Sequence, residues 1–259
     1  MIPINAVTAW GADHPWPTPE QVEQDLLLSQ AICAIAEDDY LRDELIFRGG
    51  TALHKLHLGR PYRYSEDLDY VRSSASGIAP LTQALSKLGT DLGYTVRTRV
   101  SQHPKVYWRT TAASGVSLRL KIEVNTHERS PALPVVFLPH RIDSPWWAGE
   151  ATIQTFQLPE LMATKIRALY QRSKGRDLFD LWLALEHLRL DGSTVLAAFE
   201  PYRPEGLTAS KARENLAKKL KDPVFCSDLN PLVTTWPENY ELHAAAARVV
   251  KEILDLLDG

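Results

Sequence analysis

Phe47-Arg48-Gly49-Gly50-Thr51-Ala52-Leu53, followed by Tyr64-Ser65-Glu66-Asp67-Leu68-Asp69-Tyr70, decides how the rest of the chain is read. Leu45 to Arg48 is a short apolar run that ends at paired glycines, the pattern of a strand running into a turn. Thr51-Ala52-Leu53-His54-Lys55-Leu56 then has helix-forming composition. A strand, a glycine turn and a helix start leave backbone N–H groups facing an anion. In an extended segment side chains alternate between faces, so Asp67 and Asp69 point one way while Leu68 and Tyr70 point into the opposite layer. Two carboxylates so placed can share a divalent cation, and hard oxygen ligands favour Mg²⁺ or Mn²⁺ over softer-site metals. A nucleoside triphosphate is the matching substrate class. Carboxylates alone repel its charge, whereas a bound cation reverses the local sign and lowers the pKa of an attacking hydroxyl. The competing account is an acidic turn or solvated strand end, and the Gly-Gly-Thr turn just upstream argues against it.

The flanking sequence supplies a frame for these residues. Met1 to Trp16 is aperiodic and contains Pro and Trp, and reads as an irregular arm packed on the body. Thr18 as N-cap, Pro19 at the first helical position and Gln21 completing a capping box start a helix that runs to about Tyr40. Leu81, Leu85, Leu88 and Leu92 give a helical stripe from Ile78 to Leu92, and Gly93 stops it. Strands follow at Tyr94–Val100, Lys105–Arg109 and Ser117–Asn125. In the last of these Leu118, Leu120, Ile122 and Val124 face a core, leaving Arg119, Lys121, Glu123 and Asn125 on the opposite face. Glu123 is thereby a candidate third carboxylate on a neighbouring strand, able to bind metal or accept a proton; a surface strand of Lys–Glu pairs is the equally open alternative.

From Leu158 onward alternation gives way to helical periodicity. Pro159 and Glu160 start a helix with Leu161, Ile166 and Leu169 as its buried stripe, which leaves Lys165 and Arg172 on other faces. Lys165 can reach a phosphate of a leaving pyrophosphate, or can be an ordinary solvated charge. Arg176-Asp177-Leu178-Phe179-Asp180 opens the next helix, with its two aspartates one turn apart. One of them positions Lys165 or Arg176 and the other caps the helix on this reading. Later helices are expected at Thr208–Leu220 and Tyr240–Leu257. Lys211, Arg213, Lys218, Lys219 and Lys221 concentrate charge on the first of these, as a solvated face or as contacts to an RNA backbone. Arg97, Arg99 and Arg109 form a second basic cluster.

Gly49-Gly50-Thr51-Ala52-Leu53 with Arg63-Tyr64-Ser65-Glu66-Asp67-Leu68-Asp69 resembles the AbiEii/AbiGii-type toxins of the nucleotidyltransferase superfamily. So does the later block from Glu160 to Leu169, with Arg172 and Arg176-Asp177-Leu178-Phe179-Asp180-Leu181. The resemblance covers roughly residues 45 to 185. It implies an α/β (α+β) fold: a nucleotidyltransferase lobe with a mixed sheet over residues 1–157, carrying the N-terminal arm and helix, and a mainly helical lobe over 158–259. It implies transfer of a nucleotide from an NTP, with the 3′ end of tRNA as acceptor in several relatives, and a cognate antitoxin encoded nearby. Carried onto this sequence, the catalytic set is Asp67, Asp69, Glu123, Lys165 and Asp177, the last preferred over Asp180. Asp67, Asp69 and Glu123 are the metal ligands. Gly49, Gly50, Thr51, Ser65, Lys165 and Arg176 are the nucleotide-binding set.

Composition narrows the alternatives. A 259-residue chain with 44% hydrophobic residues can bury a large core, as one domain or as two lobes. A net charge of −3 provides no global field to attract nucleic acid, so any RNA contact has to come from a local patch. Cys33 and Cys226 stand in no metal or redox spacing. With no basic-then-apolar leader and no apolar run near the ~20 residues of a membrane span, a cytoplasmic protein without a membrane partner is expected. A P-loop kinase is disfavoured, because neither Gly-x-x-x-x-Gly-Lys-[Ser/Thr] nor Gly-x-Gly-x-x-Gly occurs. A nucleotidyltransferase acting on an antibiotic or metabolite, and a non-catalytic binding module of the same fold, remain the alternatives.

Overall fold

The computed structural model describes residues 2–101 and 103–258; Met1, at the head of the expected arm, Gln102 and Gly259 lie outside them. Two compact units emerge, Met1–Pro131 with Val135–Phe156 and Ala132–Pro134 with Gln157–Gly259.

The first unit opens with a helix, α1 (Ile4–Asp13), where an irregular arm was expected. Pro3, extended, precedes it, and Ala6, Val7 and Trp10 form a short buried stripe that is too brief to stand out in the sequence. α2 (Pro19–Glu37) begins at the expected capping box: Gln21 N donates to Thr18 Oγ1 at 3.2 Å, and Thr18 N donates to Gln21 Oε1 at 3.1 Å. α2 is buried on most sides, including the charged Glu23 and Asp25. α3 (Asp39–Glu44) leads into β1 (Leu45–Arg48). The helical run after the glycines starts as α4 (Gly49–Ala52) and widens to a π-turn over Leu53–His57. β2 (Asp67–Arg72), α5 (Ile78–Asp91), β3 (Thr95–Arg99), β4 (Lys105–Thr111) and β5 (Ser117–Asn125) follow, close to their expected bounds.

A hairpin of β6 (Val136–Asp143) and β7 (Ala148–Thr155) completes the unit and was not anticipated. β6 is an edge strand with few buried side chains and carries Pro139, which an edge tolerates and a central strand does not. The seven strands form one mixed sheet in the order β3-β4-β5-β2-β1-β7-β6. β2 runs antiparallel to β1 and parallel to β5, and that pairing brings the motif strand beside the strand carrying Glu123. One face of β2 and β5 is fully apolar: Leu68, Tyr70, Leu118, Leu120, Ile122 and Val124 are all buried. Burying a side chain of this size contributes about 1.5–3 kcal/mol, so a one-residue slip in register that exposed this set would be strongly disfavoured. The alternating positions are fixed by the same constraint.

The second unit is helical: α6 (Leu158–Gln171), α7 (Gly175–Glu186), α8 (Gly192–Ala197), α9 (Ala209–Lys219), α10 (Pro223–Ser227) and α11 (Leu242–Glu252). α6 packs against α7, and α11 packs on α7. The last expected helix ends early, because Ile253 leaves helical geometry at φ −130°, ψ −60° and a 3₁₀ segment takes over at Leu254–Asp258. Glu160, fully buried, accepts from Ala132 N, Leu133 N and the Tyr202 hydroxyl, which ties the Ala132–Pro134 segment to this unit. No helix among the described residues is long and apolar enough to cross a membrane.

Candidate active site

Antiparallel pairing sets Arg48 directly opposite Asp69, so β1 delivers the glycine turn onto the carboxylate strand. Gly49 has φ +83°, and a Cβ there would lie 2.6 Å from Asp69 Oδ2. At Gly50 a Cβ would lie 2.6 Å from Arg63 Nη2 and 3.1 Å from Ser65 Oγ. The paired glycines thus let the backbone pass between Asp69 on one side and Arg63 and Ser65 on the other. Thr51 Oγ1 lies 2.6 Å from the Asp67 carbonyl oxygen and 2.9 Å from Ser65 Oγ, and these contacts fasten the turn to β2. A cavity of about 360 Å³ in the same unit is walled in part by Thr51, Arg63 and Ser65. Its floor includes Asp25, whose oxygens receive Lys55 Nζ at 2.8 Å and Trp10 Nε1 at 2.9 Å.

Parallel pairing of β2 with β5 puts Asp69 beside Glu123 and Asp67 beside Lys121, all on the face opposite the apolar core. Lys121 is the residue that sequence reasoning left without a role. Its Nζ lies 2.7 Å from Asp67 Oδ2 and 3.2 Å from Glu123 Oε2, and Lys105 Nζ lies 3.4 Å from Glu123 Oε2. Burial opposes the charge on Lys121, but its bond to Asp67 and the charges of Asp67, Asp69 and Glu123 outweigh it and carry the ammonium pKa up to about 12. Asp69 moves the other way. Burial, then the neighbouring Asp67 charge, raise its pKa above the ordinary aspartate value, and Arg48 and Lys121 only partly offset this. A signal for Lys121 was available: Lys121-x-Glu123 repeats the spacing of Asp67-x-Asp69, so the two pairs fall into register.

This donor set fits a hard divalent cation. Three carboxylates stand on adjacent strands, and one of them is destabilised in its charged form by burial and then by a second carboxylate, an imbalance that a cation would relieve. As the side chains stand, no group of three metal-ligating residues is gathered among the described residues, and Lys121 bridges Asp67 and Glu123.

In the second unit, α6 and α7 bring together Lys165, Asp177 and Asp180. Lys165 does not stand off the buried stripe, as its spacing suggested, but belongs to it: it is 6% exposed, on the face with Glu160, Leu161, Met162, Ile166 and Leu169. Its Nζ lies 3.1 Å from Asp177 Oδ1 and 2.8 Å from Asp180 Oδ2, and both aspartates are fully buried. A lysine on an apolar face becomes intelligible only once these two carboxylates are seen opposite it. Arg172 adds two bonds to Asp177, at 2.7 and 2.8 Å. Burial works against the Asp177 charge, but Lys165 and then Arg172 prevail and hold its carboxyl below the ordinary range. Neither aspartate caps α7; the N-cap is Lys174, which makes no side-chain capping bond. Arg176 is turned to Asp228, with Nε at 3.0 Å and Nη2 at 3.2 Å, and its backbone N donates to the same carboxylate.

The basic run of α9 disperses in the folded chain. Lys211 donates to Gly206 O, Arg213 pairs with Asp255, and Lys219 donates to Leu169 O and Tyr170 O at the end of α6. Burial pulls the Lys219 pKa down to about 8.

A family model described as nucleotidyl transferase AbiEii toxin, type IV TA system, matches residues 30–247. The chain belongs to this family of nucleotidyltransferase toxins. The AbiEii match spans both units and every candidate residue above. It makes the chain a nucleotidyltransferase of the toxin–antitoxin type, a class defined by a nucleotide substrate and an antitoxin partner. Among solved structures the fold is similar to MenT4, a nucleotidyltransferase toxin from Mycobacterium tuberculosis H37Rv, with a TM-score of 0.53, 18% identity and 99% of each chain covered. An antigenic nucleotidyltransferase-like protein from Paracoccidioides brasiliensis gives a TM-score of 0.43 at 19% identity, over 80% of this chain and 94% of that one. No curated protein matches the sequence.

Proposed function

We propose that this AbiEii-family chain transfers a nucleotide from an NTP to a hydroxyl of an RNA acceptor, the 3′ end of tRNA, in a reaction that requires Mg²⁺ or Mn²⁺. The observation that carries this reading is the seating of the Gly49–Gly50 turn directly on Asp69, with Asp67 and Glu123 in register beside it. In the reaction the acceptor oxygen attacks the α-phosphorus, the bond to the bridging oxygen of the β-phosphate breaks, and pyrophosphate departs with that electron pair. Asp67, Asp69 and Glu123 would hold the cation, which supplies charge neutralisation and a more acidic acceptor hydroxyl. Glu123 accepts the hydroxyl proton. Gly49, Gly50, Thr51 and Ser65 seat the triphosphate, as backbone N–H groups and hydroxyls. Lys165, its ammonium fixed by Asp177 and Asp180 as positioning residues, is the phosphate-binding cation of the helical unit on this reading. Arg176 is left out of the phosphate set, because Asp228 takes the Nε–Nη2 edge of its guanidinium and its backbone N–H.

The test is incubation of the purified protein with total RNA, Mg²⁺ or Mn²⁺, and each of the four labelled NTPs. Label is expected on tRNA 3′ ends. If RNA stays unlabelled with every NTP while a small hydroxylated metabolite or antibiotic is nucleotidylated, the acceptor assignment fails. No transfer to any acceptor, despite NTP binding, leaves only a binding module.

A further inference from the structure

One sheet face carries a charge pattern that the carboxylates do not explain. On β3, β4 and β5, the side of the sheet bearing Glu123 also presents Arg97, Arg99, Lys105, Arg109, Arg119 and Lys121, six cations against one acid. The opposite side holds the buried Val106, Trp108, Leu118, Leu120 and Ile122, so no alternative orientation is open to the basic set. Lys105 and Lys121 have carboxylate partners, but Arg97, Arg99, Arg109 and Arg119 are exposed and have no acidic partner among the described residues.

The register makes this costly to the fold. Arg99 stands opposite Lys105, and Arg109 stands opposite Arg119, two like-charge cross-strand pairs on one face. Such pairs destabilise a sheet. Protection of an exposed edge accounts for charge on β3 alone. Arg109 and Arg119 stand on β4 and β5, inside the sheet, and need another reason. Tyr107, at the centre of the patch and half-buried, has the Arg119 guanidinium 5.3 Å from its ring. The chain as a whole is acidic, so this face is a local exception to its charge.

We infer that the β3–β4–β5 face is the docking platform for the phosphate backbone of the RNA acceptor, leading its end toward Asp67, Asp69 and Glu123. This rests on the reading that the acceptor is RNA. The platform is continuous with the candidate carboxylates. Row by row, Arg99, Lys105, Glu123 and Asp69 are register neighbours, as are Arg97, Tyr107, Lys121 and Asp67. Strand spacing of about 4.8 Å puts β3 roughly 14 Å from β2. A stacked strand advances about 3.4 Å per nucleotide, so the platform spans about four of them. The basic run at α9 offers no comparable surface, since Lys211, Arg213 and Lys219 are engaged within the fold, which leaves Lys218 and Lys221.

The experiment compares wild type with R97A/R99A, R109A/R119A and the control K218A/K221A, using purified tRNA. It measures binding against salt, nucleotide transfer, and NTP binding. Either arginine pair is expected to raise the RNA KM about tenfold or more and to flatten the log–log salt slope by about 1.4, from two lost phosphate contacts at about 0.7 each. kcat at saturating RNA, NTP binding and the lysine control should be unchanged. If wild type labels tRNA and both arginine pairs keep its KM and salt slope, the platform is wrong while the RNA reading stands. If wild type neither binds nor labels RNA, both fall. Loss of binding to an acidic antitoxin, with RNA affinity unaltered, would reassign the face to a protein partner.

Discussion

Replacing Lys165 with Ala removes an ammonium shared by two fully buried carboxylates, at 3.1 Å from Asp177 and 2.8 Å from Asp180. Arg172 still reaches Asp177 in that variant. Deleting one partner of a buried ion pair leaves an uncompensated charge and costs about 3–5 kcal/mol. Set against a total stability on the order of 5–15 kcal/mol, the second unit would survive near its threshold. At roughly 4 °C per kcal/mol for a domain near 100 residues, a loss of about 12–20 °C in Tm follows. The pH dependence separates this account from a simple loss of packing. In wild type the depressed Asp177 contributes stability that is present above the unfolded aspartate value and lost as pH falls through its lower folded value. In Lys165→Ala the largest lowering influence on Asp177 is gone and its pKa rises toward what burial favours, so acidification protonates it sooner and narrows the gap to wild type. Urea unfolding at pH 8, pH 5 and about pH 3 measures both effects, and Lys165→Ala/Asp180→Asn should recover part of the lost stability. A destabilisation below about 1 kcal/mol that is independent of pH would falsify the buried-charge argument. It also follows that activity lost in Lys165→Ala has to be read at a temperature where the variant is shown to be folded.

Asp69→Asn should abolish nucleotide transfer and Mn²⁺ binding while leaving Tm equal to wild type or slightly above it, because an amide ends the repulsion from Asp67; substantial transfer by the folded variant removes the catalytic assignment. Protonation of Asp69 favours the folded state between the ordinary aspartate value and its raised one, so its share of stability grows as pH falls there. Mn²⁺ affinity over the same window should drop by up to about tenfold per pH unit, and titration calorimetry showing no such slope would discount the shift. Gly49→Ala and Gly115→Ala both place a side chain at positive φ, at a cost of about 1–2 kcal/mol, but only the Cβ at 49 meets Asp69. Transfer should therefore collapse in Gly49→Ala and persist in Gly115→Ala; equal activities in the two would show that the turn does not need its close approach to Asp69.

What the sequence determined by itself was local. The capping box at Thr18, the alternation of Ser117–Asn125 and the glycine turn before Asp67-Leu68-Asp69 each depend on residues a few positions apart, and each formed as its spacing requires. Period-2 alternation fixed which face Asp67, Asp69 and Glu123 occupy, since the neighbouring apolar residues had to be buried. The structure decided what depends on pairing between distant segments. Register between β2 and β5 placed Lys121 against Asp67, and register between β4 and β5 set Arg109 against Arg119. α1 and the β6–β7 hairpin went unread because short stripes and an edge strand bury too little to imprint a period. Lys165 was placed off the buried stripe because helical periodicity assigns a charge to a polar face unless its partner is known. That partner lies on the next helix, and only the packing of α6 against α7 makes burial of all three charges tolerable.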